Sequence, residues 1–80
     1  MPTVLRVKGY QFIIFTNDHP PPHVHVRRAE GGAKISLDVV EVVEFHKLNI
    51  RQLSEIIELV EYNRDYLLEK WREIQGHGDE

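Results

Sequence analysis

Apolar and polar residues alternate from Thr3 to Lys8 (T-V-L-R-V-K), with β-branched side chains among them. A period of two in such residues predicts a half-buried β-strand. Gly9 interrupts the pattern, and Tyr10–Thr16 (Y-Q-F-I-I-F-T) resumes it as a second, more apolar strand. The two-residue Lys8-Gly9 connection predicts a tight hairpin, because glycine takes the positive φ such turns require. In that register Leu5, Val7, Tyr10, Phe12 and Ile14 share the core face, and Arg6, Lys8, Gln11, Ile13 and Phe15 share the other. Ile13 and Phe15 are then exposed apolar groups on a polar face, and they are assigned to a partner contact.

Pro20, Pro21 and Pro22 cannot continue a sheet ladder, so Asn17–Pro22 is a stiff loop. His23–Arg28 (H-V-H-V-R-R) and Ala33–Asp38 (A-K-I-S-L-D) each alternate, and Gly31-Gly32 between them predicts a second hairpin turning at the glycines. Val39–Leu48 fits either an extension of the fourth strand or a short helical connector. Asn49, with Gln52 three residues later, has the pattern of a capping box. Leu53, Ile56, Ile57, Val60, Leu67, Leu68, Trp71 and Ile74 then recur at three- and four-residue intervals. They predict one amphipathic helix of about seven turns, with residues 76–80 as a frayed tail. Asn63 falls beside the apolar stripe, where a polar group must be hydrogen-bonded; it either ties the helix to the sheet or marks a break. Trp71 is expected as a core anchor, and Tyr62 and Tyr66 as a partner-facing edge.

The expected fold class is therefore α+β: a small four-stranded antiparallel sheet of two β-hairpins, covered by one long C-terminal amphipathic helix. At 80 residues the chain is expected to form a single domain over 1–80. A core this small is marginal alone, which favours stabilisation by association. The sequence has no cysteine, so disulfides and thiolate metal sites are excluded. No apolar run reaches the length of a membrane span, and no basic-then-apolar leader opens the chain. A cytoplasmic protein without a membrane partner is expected. The net charge of −3 is unevenly spread: residues 1–37 carry five Lys/Arg and two Asp/Glu, residues 38–80 five and eleven. The basic half can attract an anion such as RNA.

His23, His25 and Arg27 occupy alternate positions of one strand and project from one face. With the turn at Gly31-Gly32, His25 faces Asp38 and Arg27 faces Ser36, with Lys34 on the same surface. Two imidazoles can serve as general base and acid against RNA while a guanidinium holds the phosphate. His23, His25 and Arg27 are thus the catalytic candidates. Lys34, Ser36 and Asp38, together with Ile13 and Phe15, are the candidates for partner or anion binding. A His-x-His pair joined by Asp38 or His19 would also offer three metal ligands, but only two lie close in sequence, and neither a metal nor a cofactor is assigned. The same residues also fit a polar sheet face that contacts solvent or a partner. Glu41 and Glu44 read as solvated, and His46 and His77 have no constellation around them.

The opening M-P-T-V-L-R-V-K-G-Y-Q-F-I-I-F-T-N-D, the P-P-H-V-H-V run at Pro21–Val26, the A-K-I-S-L stretch at Ala33–Leu37 and the ending Leu67-Leu68-x-x-Trp71 together resemble domain-of-unknown-function family 4160. The resemblance spans nearly the whole chain and is weakest over Val39–Leu48. It implies a short bacterial or archaeal protein, often encoded beside a member of family 2442 and suspected of forming a toxin–antitoxin-like module with it. It carries no settled catalytic residues. The function expected is an interaction module, one component of such a two-protein system, acting through a small partner protein. The alternatives are a metal-independent ribonuclease using the His/Arg face and a nucleic-acid-binding module without catalysis; self-association into a homo-oligomer is a further option.

Overall fold

A computed structural model describes Thr3–Gly76, in the order β1 (Thr3–Val7), β2 (Tyr10–Ile13), β3 (His23–Arg28), β4 (Gly31–Ser36), β5 (Glu41–His46), α1 (Ile50–Tyr62) and α2 (Arg64–Gly76). The tail expected over 76–80 lies outside the described residues beyond Gly76. The strands form one antiparallel meander, β1-β2-β3-β4-β5, so β1 and β5 are its edges. The class is α+β as expected, but with five strands where four were predicted and two helices where one was predicted.

The first hairpin turns where the sequence predicts. Val7 pairs with Tyr10 and Leu5 with Phe12, and Lys8 (φ 54) and Gly9 (φ 82) both take the positive φ of a primed two-residue turn. The register shifts between Thr3 and Leu5.

The second hairpin turns earlier than expected, at Ala29-Glu30, with Arg28 paired to Gly31. Ala29 takes the positive φ of this turn (52). Gly31 and Gly32 lie inside β4 instead, for a steric reason. A Cβ on Gly31 would meet the Lys47 carbonyl oxygen at 2.4 Å, and one on Gly32 would meet His46 Cε1 at 3.0 Å. The glycines admit the segment leaving β5, where backbone passes close to backbone. His25 consequently faces Lys34, His23 faces Ser36 and Arg27 faces Gly32. His25 is thus not opposite Asp38, nor Arg27 opposite Ser36. The change for His25, from Asp38 to Lys34, is an even number of positions, so the partition into faces survives. Asp38 itself falls in the turn after β4 and is exposed.

Val39–Leu48 resolves mainly as β5, antiparallel to β4 with an irregularity between Lys34 and Ile35. The helical segment begins with the predicted cap: the Gln52 amide donates to Asn49 Oδ1 (2.8 Å) and the Asn49 amide to Gln52 Oε1 (2.9 Å). It breaks at Asn63. There the side-chain Nδ2 and the backbone N–H both donate to the Leu59 carbonyl, at 2.8 and 3.0 Å, while the Leu67 amide donates to the Asn63 carbonyl. An amide side chain competing for the ladder's acceptors ends one helix where the next begins. Arg64, the next residue, donates from Nε to the Leu37 carbonyl (2.8 Å) and from Nη2 to the Asp38 carbonyl (3.0 Å), fastening the break to the β4–β5 turn.

Both helices cover the sheet face that carries Tyr10, Phe12, Val24, Val26 and Ile35, and Ile56, Val60, Leu67 and Trp71 complete that core. Each fully buried aliphatic or aromatic side chain there contributes about 1.5–3 kcal/mol. Polar ties register the layers: Tyr10 Oη donates to Glu55 Oε1 (2.9 Å), Tyr66 Oη to the Val4 carbonyl (2.7 Å), and Gln75 Nε2 to the Phe15 carbonyl (2.6 Å). Tyr62 and Tyr66 are both exposed, and the Tyr66 hydroxyl is bonded to β1. Among the described residues no helix is long and apolar enough to cross a membrane.

Candidate functional site

The face of the sheet opposite the main core carries the alternate residues of β3. His25 lies there half-buried between Ile13 on β2 and Lys34 on β4. The apolar contacts expected at Ile13 and Phe15 are not free surface. Ile13 is 2 % exposed, and Phe15 is half-buried with its ring edge-on to His25 at 4.8 Å. The chain folds back after β2, and these side chains wall the histidine instead of meeting solvent.

His23 opens β3 and is buried. Its ring stands 5.1 Å from that of His25 and 5.2 Å from that of Trp71 on α2. It is thus partly enclosed by the helical layer, contrary to a fully open His/Arg face. Its Nδ1 lies 2.9 Å from the Pro21 carbonyl oxygen. An oxygen there only accepts, so Nδ1 carries a hydrogen and Nε2 points elsewhere.

That Nε2 meets Asp18, a residue to which sequence reasoning gave no role. Asp18 Oδ2 lies 3.5 Å from Nε2 of His23 and 3.5 Å from Nε2 of His25. The same oxygen accepts from the Phe15 amide (3.0 Å), and the Asp18 amide donates back to the Phe15 carbonyl (3.2 Å). This reciprocal turn fixes the carboxylate, whose side chain is 14 % exposed. The only trace in the sequence is an Asn-Asp pair in turn context. That the proline loop doubles back over the start of β3 is a tertiary fact, as is the 2.9 Å bond from the Leu37 amide to the Pro22 carbonyl that helps hold it.

His25 Nε2 is buried and makes no hydrogen bond among the described residues. Burial lowers the His25 pKa below the usual imidazole value, and the nearby Asp18 charge opposes that shift in part. A pocket of about 470 Å³ opens over this cluster, between the proline loop and β3–β5; Lys34, Ser36 and the exposed His19 line it with the two histidines. Of the residues expected at the site, His23, His25, Lys34 and Ser36 are thus brought together. Arg27 is exposed further along the strand, beside Gly32 and away from this pocket's lining. Asp38 is not part of that lining, its carbonyl being occupied by Arg64.

The fold and the site define a class: a small α+β protein whose five-stranded meander has two helices on one face and an Asp/His/His pocket beside a proline loop. Residues 9–72 match the family model described as domain of unknown function (DUF4160), and the chain belongs to that family. Neither a curated protein nor a solved structure matches it.

Proposed function

We propose that the protein is an interaction module that acts through a small partner protein, as one component of a toxin–antitoxin-like pair, with the partner docking along β5. The observation that carries this reading is the character of that edge. Val43 and Phe45 on β5 are each 53 % exposed, and Val39 in the turn before it is 67 % exposed. An edge strand presents unpaired N–H and C=O groups that can add another strand, and exposed apolar side chains on it favour such addition. Glu41 and Glu44 are exposed on the same strand, which suits a partner segment carrying Lys or Arg. The contact surface thus moves from the expected Ile13 and Phe15 to the opposite edge region of the sheet.

The test uses the tagged full chain in its native host beside a Val43→Lys, Phe45→Lys double variant. One small protein, crosslinked to β5 and lost with the variant at unchanged circular dichroism, is the expected result. Recovery of that protein equally by both chains overturns the docking surface. Self-association of the wild type, abolished by the double variant in sedimentation, replaces the small partner with a second copy of the chain.

RNA cleavage by His23, His25 and Arg27 without metal is the competing reading. The depressed pKa of His25 favours it, since a neutral imidazole can accept a proton. The burial of His23 and the commitment of its Nδ1 to Pro21 weigh against it. RNA incubated in chelator with wild type and His25→Ala decides: cleavage lost in the variant favours catalysis. Binding without cleavage, falling steeply with salt, favours a nucleic-acid-binding module.

A further inference from the structure

We infer that Asp18, His23 and His25 form a binding site for one divalent transition-metal ion of the zinc type, open to the pocket beneath the proline loop. The three side chains each offer one donor atom, and those atoms lie within 4.8 Å of one another. Two are imidazole nitrogens and one is a carboxylate oxygen. Mixed nitrogen and oxygen donors suit zinc and its first-row neighbours, whereas calcium and magnesium take oxygen ligands.

The spacing fits a shared ion better than shared protons. Both Nε2–Oδ2 separations are 3.5 Å, longer than the usual 2.7–3.2 Å of an N–H···O hydrogen bond. Ligands bound at about 2.0–2.1 Å around a tetrahedral ion stand roughly 3.3–3.4 Å from one another. The two imidazole nitrogens, no more than 4.8 Å apart, need to close by at most about 1.5 Å to reach this geometry.

The groups behind the donors are also placed as a metal site requires. A ligating histidine characteristically donates its other N–H to a carbonyl or carboxylate, which fixes the tautomer. His23 does so, from Nδ1 to the Pro21 carbonyl at 2.9 Å. The carboxylate is held in turn by the Phe15 amide at 3.0 Å. His25 Nε2, buried and without a hydrogen-bond partner among the described residues, is an independent sign, because a buried polar atom without a partner is unfavourable unless something satisfies it. Lys34, opposite His25, adds an unfavourable charge that the Asp18 carboxylate offsets. Three protein ligands leave a coordination position facing the pocket, as open zinc sites do. This inference is independent of the partner proposed for β5.

The experiment is calorimetric titration of the chelator-treated full chain with zinc chloride, repeated with cobalt(II) and read by visible absorption. One ion per chain is expected, with cobalt giving the visible bands of a low-symmetry nitrogen and oxygen site. His25→Gln and Asp18→Asn are each expected to weaken zinc binding at least about 100-fold (~2.7 kcal/mol). His46→Ala, an exposed histidine on β5, is expected to leave binding unchanged. Because Asp18 also braces its loop, folding of each variant is checked by circular dichroism, and His25→Gln carries the test if Asp18→Asn unfolds. Zinc is also expected to raise the Tm of the wild type and not that of His25→Gln. Wild-type binding no tighter than that of His25→Gln overturns the site, as does equal loss in His46→Ala.

Discussion

A Cβ placed on Gly31 would lie 2.4 Å from the carbonyl oxygen of Lys47, because the chain leaving β5 passes directly against the start of β4. Backbone at that distance cannot move aside as a flexible side chain can. Gly31→Ala is therefore expected to destabilise the fold by about 2 kcal/mol or more, the range of overpacking at a tight site. Gly32→Ala comes closest to the side chain of the exposed His46, at 3.0 Å, and meets the Val26 carbonyl oxygen at an ordinary contact distance of 3.4 Å; it is expected to cost clearly less. Urea unfolding of the two variants measures the difference, and equal effects would contradict the backbone contact.

Ala29 takes φ 52 in the turn between β3 and β4. An L-residue with a side chain pays about 1–2 kcal/mol in that region, while glycine loses roughly 0.5–1 kcal/mol of extra chain entropy. Ala29→Gly is expected to stabilise the protein by a few tenths to about 1 kcal/mol. The urea midpoint should rise at unchanged m value; a fall would show that the turn prefers alanine.

Arg64 holds the Leu37 and Asp38 carbonyls with two hydrogen bonds, at 2.8 and 3.0 Å. Methionine keeps much of the stem but supplies neither donor. Arg64→Met should cost about 1–3 kcal/mol, since Leu37 sits in the core and its carbonyl is left without that donor. Amide hydrogen exchange should speed up around the β4–β5 turn before it does so elsewhere. Unchanged exchange there would remove the proposed fastening.

Tyr10 is raised above the ordinary phenol pKa, first by burial and then by its hydrogen bond to Glu55. The unfolded chain ionises near pH 10 while the folded chain still holds the proton. The stability linked to this group is therefore fully present below about pH 10 and is lost as pH rises through the folded value. Wild type should lose stability above about pH 10 more steeply than Tyr10→Phe, which has no phenol there to ionise. Parallel curves for the two proteins would contradict the shift.

Local chemistry makes several elements readable from the sequence. Lys8-Gly9 had to turn because its neighbours alternate on both sides, and Asn49 with Gln52 had to cap because the apolar stripe begins just beyond them. The same local reading misplaced the second hairpin. Gly-Gly is a strong turn pattern in isolation, and nothing near it in sequence reveals that Lys47 needs the space. Val39–Leu48 is unreadable for a related reason: the β4–β5 pairing shifts register between Lys34 and Ile35, which breaks the period of two, and Val43 and Phe45 stay exposed.

The sequence by itself determined which residues of β3 share a face, because side-chain alternation is set by the backbone of a strand and survives any even shift of register. It also determined the α+β class and the apolar stripe that covers the sheet. Only the tertiary structure decided where the second turn falls, that the helix breaks at Asn63, and that Asp18 reaches both histidines. The turn and the Asp18 cluster depend on contacts between segments distant in sequence, where close approach of backbone or the folding back of a loop outweighs local preference; the break at Asn63 is a local competition for the Leu59 carbonyl, and Arg64 fastens that break to the β4–β5 turn.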